Sequence, residues 1–157
     1  MSDLAADAVV VVGERRWTVD PTVRRSADSA IEADVVCATG NRYSAEWAGV
    51  PVSTLAERAR APAETTHLVV ESHDGYRMTV PIAAGIDGLL AVEKDGRPIG
   101  ETEPYDTRFV APDVAGARDV KGVARIEFRA LDAGEDPEAF EQFEPDDDRF
   151  AAPDQKQ

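Results

Sequence analysis

His67-Leu68-Val69-Val70-Glu71-Ser72-His73-Asp74-Gly75-Tyr76-Arg77-Met78-Thr79-Val80, residues 67–80, decides the fold class. Two apolar runs flank a His-Asp-Gly turn, the pattern of an antiparallel hairpin. A second hairpin follows, with Leu89 to Glu93 and Arg97-Pro98-Ile99 around Asp95-Gly96. Downstream, Thr107 to Val110 reads as a strand closed by Pro112, and Val123 to Arg129 alternates apolar and charged residues as a pleat requires. Upstream, Val9 to Val19 reads as two short strands around Gly13-Glu14, residues 22–31 as a polar connector, and Ala33 to Cys37 as a third strand. Helices are expected at Pro51 to Ala59, where proline suits the first turn, and at Pro81 to Ile86. The sum is an α+β domain of mixed, mostly antiparallel short strands with two or three short helices.

The chain has 157 residues, a length that suits one domain. Composition changes after Leu131, which divides it into a domain over residues 1–131 and an acidic, proline-containing tail over 132–157. The tail has two readings: a solvated segment, or a strap whose phenylalanines dock on the domain or on a second subunit. Formal net charge is −14, with 14 arginines and only three lysines. Acid spread over the whole chain is a solvation strategy for high salt, where screening weakens self-repulsion, so a halophilic source is expected. Nucleic acid is not an expected partner, because phosphate neutralisation needs a basic stripe. The apolar run Ala8 to Val12 is far short of the roughly 20 residues a membrane helix needs. Arg15-Arg16 and Arg24-Arg25 precede charged or polar residues and so do not make a twin-arginine signal. A cytoplasmic protein is expected.

Cys37 is the only cysteine, which removes an intrachain disulfide and a four-cysteine zinc site. It is either a buried filler or a single thiolate ligand. His67 at a strand start and His73 in a turn suit surface roles. The stretch Arg108 to Lys121 gathers Arg108, Arg118 and Lys121 around Gly116-Ala117. Glycine permits close backbone approach, and arginine and lysine hold phosphate oxygens. The alternative is that these cations pair with Asp113 and Asp119.

Together these regions resemble the molybdopterin-binding domain of the sulfite oxidase type. Cys37-Ala38-Thr39-Gly40-Asn41-Arg42 resembles its Cys-Ala-Gly-Asn-Arg segment, and Trp47 to Leu55 its Trp-x-Gly-Val-x-Leu-x-x-Leu. Asp74-Gly75-Tyr76 to Pro81 and Leu89 to Ile99 are similar to its next two segments, and Arg108 to Lys121 to its Arg-Val-Val-x-Pro-x-x-x-Gly-Ala-Arg-x-Val-Lys. The matches run in one order from about residue 33 to 129.

The resemblance implies a molybdenum–molybdopterin cofactor, with Cys37 as the thiolate ligand of the metal. It implies Arg108, Gly116, Arg118 and Lys121 at the pterin and its phosphate, and Asn41 and Arg42 beside the metal. Tyr76 stands either for an active-site hydroxyl or for a hairpin tyrosine packed on the sheet. The implied activity is two-electron redox or oxygen-atom transfer on a small-molecule substrate, with an electron-carrier protein as partner. The alternative is a non-catalytic relative that binds a ligand or protein without metal. Three departures stand out. Glu103 occupies a position where sulfite-oxidising members have histidine, Gly122 one where tryptophan is common, and the Cys37–Trp47 loop is compressed.

Overall fold

The computed structural model describes residues 8–19, 29–36, 42–112 and 120–141. In chain order these form β1 (Val10–Val12), β2 (Arg16–Thr18), β3 (Ser29–Val36), β4 (Arg42–Pro51), α1 (Val52–Ala59), β5 (His67–Ser72) and β6 (Arg77–Pro81). There follow α2 (Ile82–Gly85), β7 (Leu89–Lys94), β8 (Arg97–Pro98), a 3-10 turn at Ile99–Glu101, β9 (Arg108–Val110), β10 (Val123–Arg129) and a second 3-10 turn at Pro137–Phe140. No helix among the described residues is long and apolar enough to cross a membrane.

The strands make two five-stranded sheets. The first runs β2-β1-β10-β5-β6; the second runs β3-β4-β7-β8, with β9 also on β7. Among the described residues the one parallel pair is β1 with β10, so the expected mostly antiparallel α+β architecture is the one found. Both Asp-Gly hairpins form where expected. Asp95 and Gly96 take φ of 52° and 85°, as a two-residue hairpin turn between Lys94 and Arg97 requires.

Two expectations need correction. β3 begins at Ser29, inside the stretch read as connector, and Arg42–Pro51 is a ten-residue strand that the pattern did not announce. Each is specified by its partner, since all eight residues of β3 pair with β4 from Gly49 back to Arg42.

Alternation along the strands builds two cores. Val50, Leu90 and Phe109 of the second sheet meet Val11, Leu68, Val70, Met78, Val80 and Ile126 of the first, with Val52, Leu55 and Ala59 of α1. The residues between them, Trp47, Leu89, Ala91 and Val110, form a separate cluster with Ala45 and Ile99 on the opposite face of the second sheet, and Tyr105 and Ile31 pack against it. That sheet is therefore covered on both sides. Helix α1 ends at Arg60 in the left-handed conformation (φ 54°), and the carbonyls of Ala59 and Arg60 accept the amides of Arg15 and Glu14 in the β1–β2 turn. Gly13 in that turn has no room for a Cβ against the Ala59 carbonyl, which explains the glycine.

The first residues after β10 are anchored. Leu131 donates its amide to Thr66 Oγ1 (2.9 Å), and Thr79 Oγ1 donates to the Pro137 carbonyl (3.0 Å). The phenylalanines at 143 and 150 lie outside the described residues.

Candidate functional site

Arg108 opens β9 and lies in register with Ala91 of β7 on one side. On the other, an antiparallel bridge joins it to Lys121. The bridge is held by Phe109 N–H donating to the Val120 carbonyl (2.8 Å) and Gly122 N–H to the Thr107 carbonyl (2.8 Å). The buried Thr107 hydroxyl also accepts the Val123 amide at 2.9 Å. Arg108 and Lys121, thirteen positions apart in sequence, are thereby fixed as backbone neighbours. Gly122 has φ 65°, a value that favours glycine over tryptophan and accounts for the residue found there. Its carbonyl accepts the His73 amide at 2.9 Å, which ties the β5–β6 turn to the Lys121 segment.

The Arg108 side chain lies on the face of the second sheet that carries Trp47, and its guanidinium is 5.4 Å from the centre of the indole. Lys94 Nζ is 5.7 Å from the same ring. A bulge places Lys94 there. Across one step of β4, from Ala48 to Gly49, the partner on β7 moves from Glu93 to Ala91, so Val92 is the extra residue. Strict alternation from Leu89 and Ala91 would send Lys94 to the other face; the extra residue brings it back beside Trp47. Gly49 makes this close approach feasible, because a Cβ there would run into the Leu90 carbonyl.

Trp47 and Arg108 are buried here, Lys94 is half-buried, and the polar side-chain groups of all three are donors. Trp47 is 1% exposed and Arg108 4% exposed, and neither Trp47 Nε1 nor Arg108 Nε has a hydrogen-bond partner among the described residues. Arginine and indole nitrogens donate and cannot accept. Contact with the ring offsets part of the desolvation of each cation, by about 0.5–2 kcal/mol. It leaves Trp47 Nε1–H and Arg108 Nε–H without an acceptor among the described residues, at a cost of about 1–3 kcal/mol each. An acceptor of negative charge is the chemistry that completes such a site.

Of the eight residues singled out in the sequence, the structure brings Arg108 and Lys121 together. Arg42 is the first residue of β4 and pairs with Val36, which places it at the end of the β3–β4 hairpin where residues 37–41 connect the two strands. Cys37, Asn41, Gly116 and Arg118 lie outside the described residues. Tyr76 ends the β5–β6 turn on the first sheet and packs against the larger core. Its amide donates to Ser72 Oγ at 3.1 Å. Among the described residues no three His, Cys, Asp or Glu side chains group as a metal site. An open groove of about 400 Å³ is lined by Arg16, Glu71, His73 and Arg125 on the first sheet, and contains none of the eight. Sequence reasoning assigned no role to Trp47 or Lys94; a β-bulge leaves no mark in a single sequence from which their shared face follows.

Residues 12–135 match the family model described as the oxidoreductase molybdopterin binding domain. The chain belongs to that family. Over 100 residues it is 33% identical to mitochondrial sulfite oxidase of Homo sapiens, covering 56% of this chain and 18% of that one. Against mitochondrial sulfite oxidase of Drosophila melanogaster it is 31% identical over 100 residues, covering 57% and 17%. The matched region thus spans less than a fifth of the length of these relatives. The fold is similar to that of the sulfane dehydrogenase SoxCD from Paracoccus pantotrophus, with a TM-score of 0.67 at 19% identity over 82% of this chain and 39% of that one. The sulfite oxidase-type molybdopterin-binding domain expected from the motifs is therefore the domain found.

Proposed function

We propose that this chain is a molybdenum–molybdopterin-dependent oxidoreductase domain acting by two-electron redox or oxygen-atom transfer on a small substrate. The observation that carries the reading is the Arg108 guanidinium, buried on the Trp47 face with Nε unpartnered among the described residues and bridged through the backbone to Lys121. A phosphate-bearing group fits that donor chemistry.

Arg108 and Lys121 would hold the phosphate, with Arg118 and Gly116 completing the cradle. Cys37 would supply the thiolate, and Asn41 and Arg42 would flank it. When bound, the cofactor supplies a metal centre able to exchange two electrons with substrate. The protein's part is positional. The Thr107–Val123 hydrogen bond sets the spacing between Arg108 and Lys121, and the Trp47 cluster excludes water so that the charge contacts are strong. The net charge of −14 suits electron transfer to a carrier with a basic surface.

The test is production in a host that makes the cofactor, followed by molybdenum analysis and fluorescence of released pterin. Stoichiometric metal and pterin are expected, and both should fall in Cys37→Ser and Arg108→Ala. Protein that is empty from such a host sinks the reading. A second reading, a metal-free binding module, is favoured by Glu103, whose carboxylate stands five residues before Arg108 and repels an anion. In that case Cys37→Ser leaves ligand or partner binding unchanged.

A further inference from the structure

We propose that the outer edge of β3 receives an extended segment of a partner protein rich in lysine or arginine, which joins the second sheet as an antiparallel strand. The backbone carries the inference. Asp95 follows β7, on the side of β4 away from β3. The Glu46 carbonyl accepts the Asp95 amide (2.7 Å), and the Glu46 amide donates to Asp95 Oδ1 (2.9 Å). Both backbone groups of Glu46 thus turn away from β3, so its register partner Glu32 turns its own N–H and C=O away from β4. The pairing of β3 with β4 has no register shift, and Ala30 and Asp34 therefore present theirs on the same outer edge. Among the described residues no backbone hydrogen bond reaches this row.

The other sheet edges are short or blocked. β2 has three residues, and β8 has two, one of them Pro98. β9 is bridged by Lys121. β6 ends in Pro81, which has no N–H, and its Thr79 amide is taken by Glu141. β3 has eight residues with neither proline nor bulge, the combination that invites another strand.

Charge selects the occupant. Glu32 and Asp34 hold alternate positions on the outward row, and Glu32 stands in register with Glu46. Like charges directly opposite one another are destabilising, and a cation beside them relieves this. The two hydrogen-bonded antiparallel registers that overlap β3 with itself most fully put Glu32 opposite Glu32 or Asp34 of a second copy. Self-pairing is therefore disfavoured, whereas a strand with lysine or arginine at alternate positions meets the same residues with opposite charge. β3 ends at Val36, one residue before Cys37, so the added strand would seat a basic carrier beside the candidate metal ligand. Only that last link rests on the proposed function.

The experiment titrates the full chain with the acetylated peptide Thr-Lys-Val-Lys-Val-Lys-Thr at constant ionic strength, read by calorimetry and amide hydrogen exchange. Binding should be saturable and should slow exchange at Ala30, Glu32 and Asp34, leaving Ile31 and Ala33 unchanged. N-methylation of the lysine amides keeps the peptide's charge, removes the donors that face β3, and should weaken binding about tenfold. Ala30→Pro removes one outward N–H, keeps both acids, and should weaken binding several-fold. Glu32→Lys combined with Asp34→Lys should reverse the preference toward a peptide with glutamate in place of lysine.

Equal affinity for the N-methylated peptide would mean diffuse attraction to a chain of net charge −14, and overturns the proposal. So does the absence of saturable binding or of slowed exchange. Slow exchange at the three amides before peptide is added also overturns it. If that protection rises with protein concentration, the edge belongs to a second copy; if not, to another part of this chain. Molybdenum and pterin enter none of these readouts, so either reading can fail while the other stands.

Discussion

Thr79 donates its backbone N–H to the carboxylate of Glu141, 62 residues later, at 3.0 Å. β6 is the outer strand of the first sheet, so without this contact its outward amide at Thr79 would have no strand partner. Glu141→Ala is expected to cost about 1.5–3 kcal/mol, the range for a hydrogen bond to a charged group. Amide hydrogen exchange should show the loss locally, with Thr79 exchanging faster and Leu68 in the neighbouring strand unchanged.

Thr107→Val tests how Arg108 and Lys121 are held together. The substitution keeps the side-chain volume but leaves the buried Val123 amide without its acceptor, at about 1–3 kcal/mol. Thr107→Ser should recover most of the stability in urea denaturation. Under the proposed function, pterin occupancy should fall in Thr107→Val and return in Thr107→Ser.

Gly49→Ala should be among the more damaging single-methyl additions in the chain. Its Cβ meets the Leu90 carbonyl, which belongs to the β-ladder and cannot rotate away. A loss of about 1–3 kcal/mol is expected from overpacking. Near-ultraviolet circular dichroism should also change, because β4 must shift against β7 where Trp47 is seated. A near-ultraviolet spectrum identical to the parent's would contradict this placement.

Thermal stability should rise with potassium chloride from tens of millimolar to molar concentration. With a net charge of −14, screening relieves repulsion that the folded state concentrates. The arginine–glutamate pairs on β10 work in the opposite direction, but they are partly exposed and contribute little. A thermal midpoint that falls with salt would remove the expectation of a halophilic source.

Local signals carried much of the fold. Asp95-Gly96 marks a two-residue hairpin turn whose positive φ both residues tolerate, and Asp74-Gly75 marks a four-residue connection in which Gly75 takes φ 92°. The parallel pairing of Val10 with Arg125 was not legible, since nothing near either residue encodes a partner more than a hundred positions away. β4 was missed for a different reason. Its Trp-Ala-Gly-Val-Pro stretch lacks clean alternation, as it is covered on both faces. At the site, Arg108 and Lys121 were readable as a cationic segment, but their adjacency depends on the bridge through Thr107 and Gly122.

The Val92 bulge has an evolutionary corollary. Because Gly49 and the extra residue on β7 lock β4 between Trp47 and Pro51, changes in chain length on the far side of Arg42 need not propagate to the Trp47 face. Inserting or deleting residues between Cys37 and Asn41 should therefore leave the pairing of β4 with β7 at the Trp47 face unchanged. A single-residue deletion within Trp47–Pro51 would instead invert the strand and turn the indole toward the larger core. Between Val36 and Arg42 selection can change length, whereas β3 and β4 on either side, paired residue for residue, admit substitution alone.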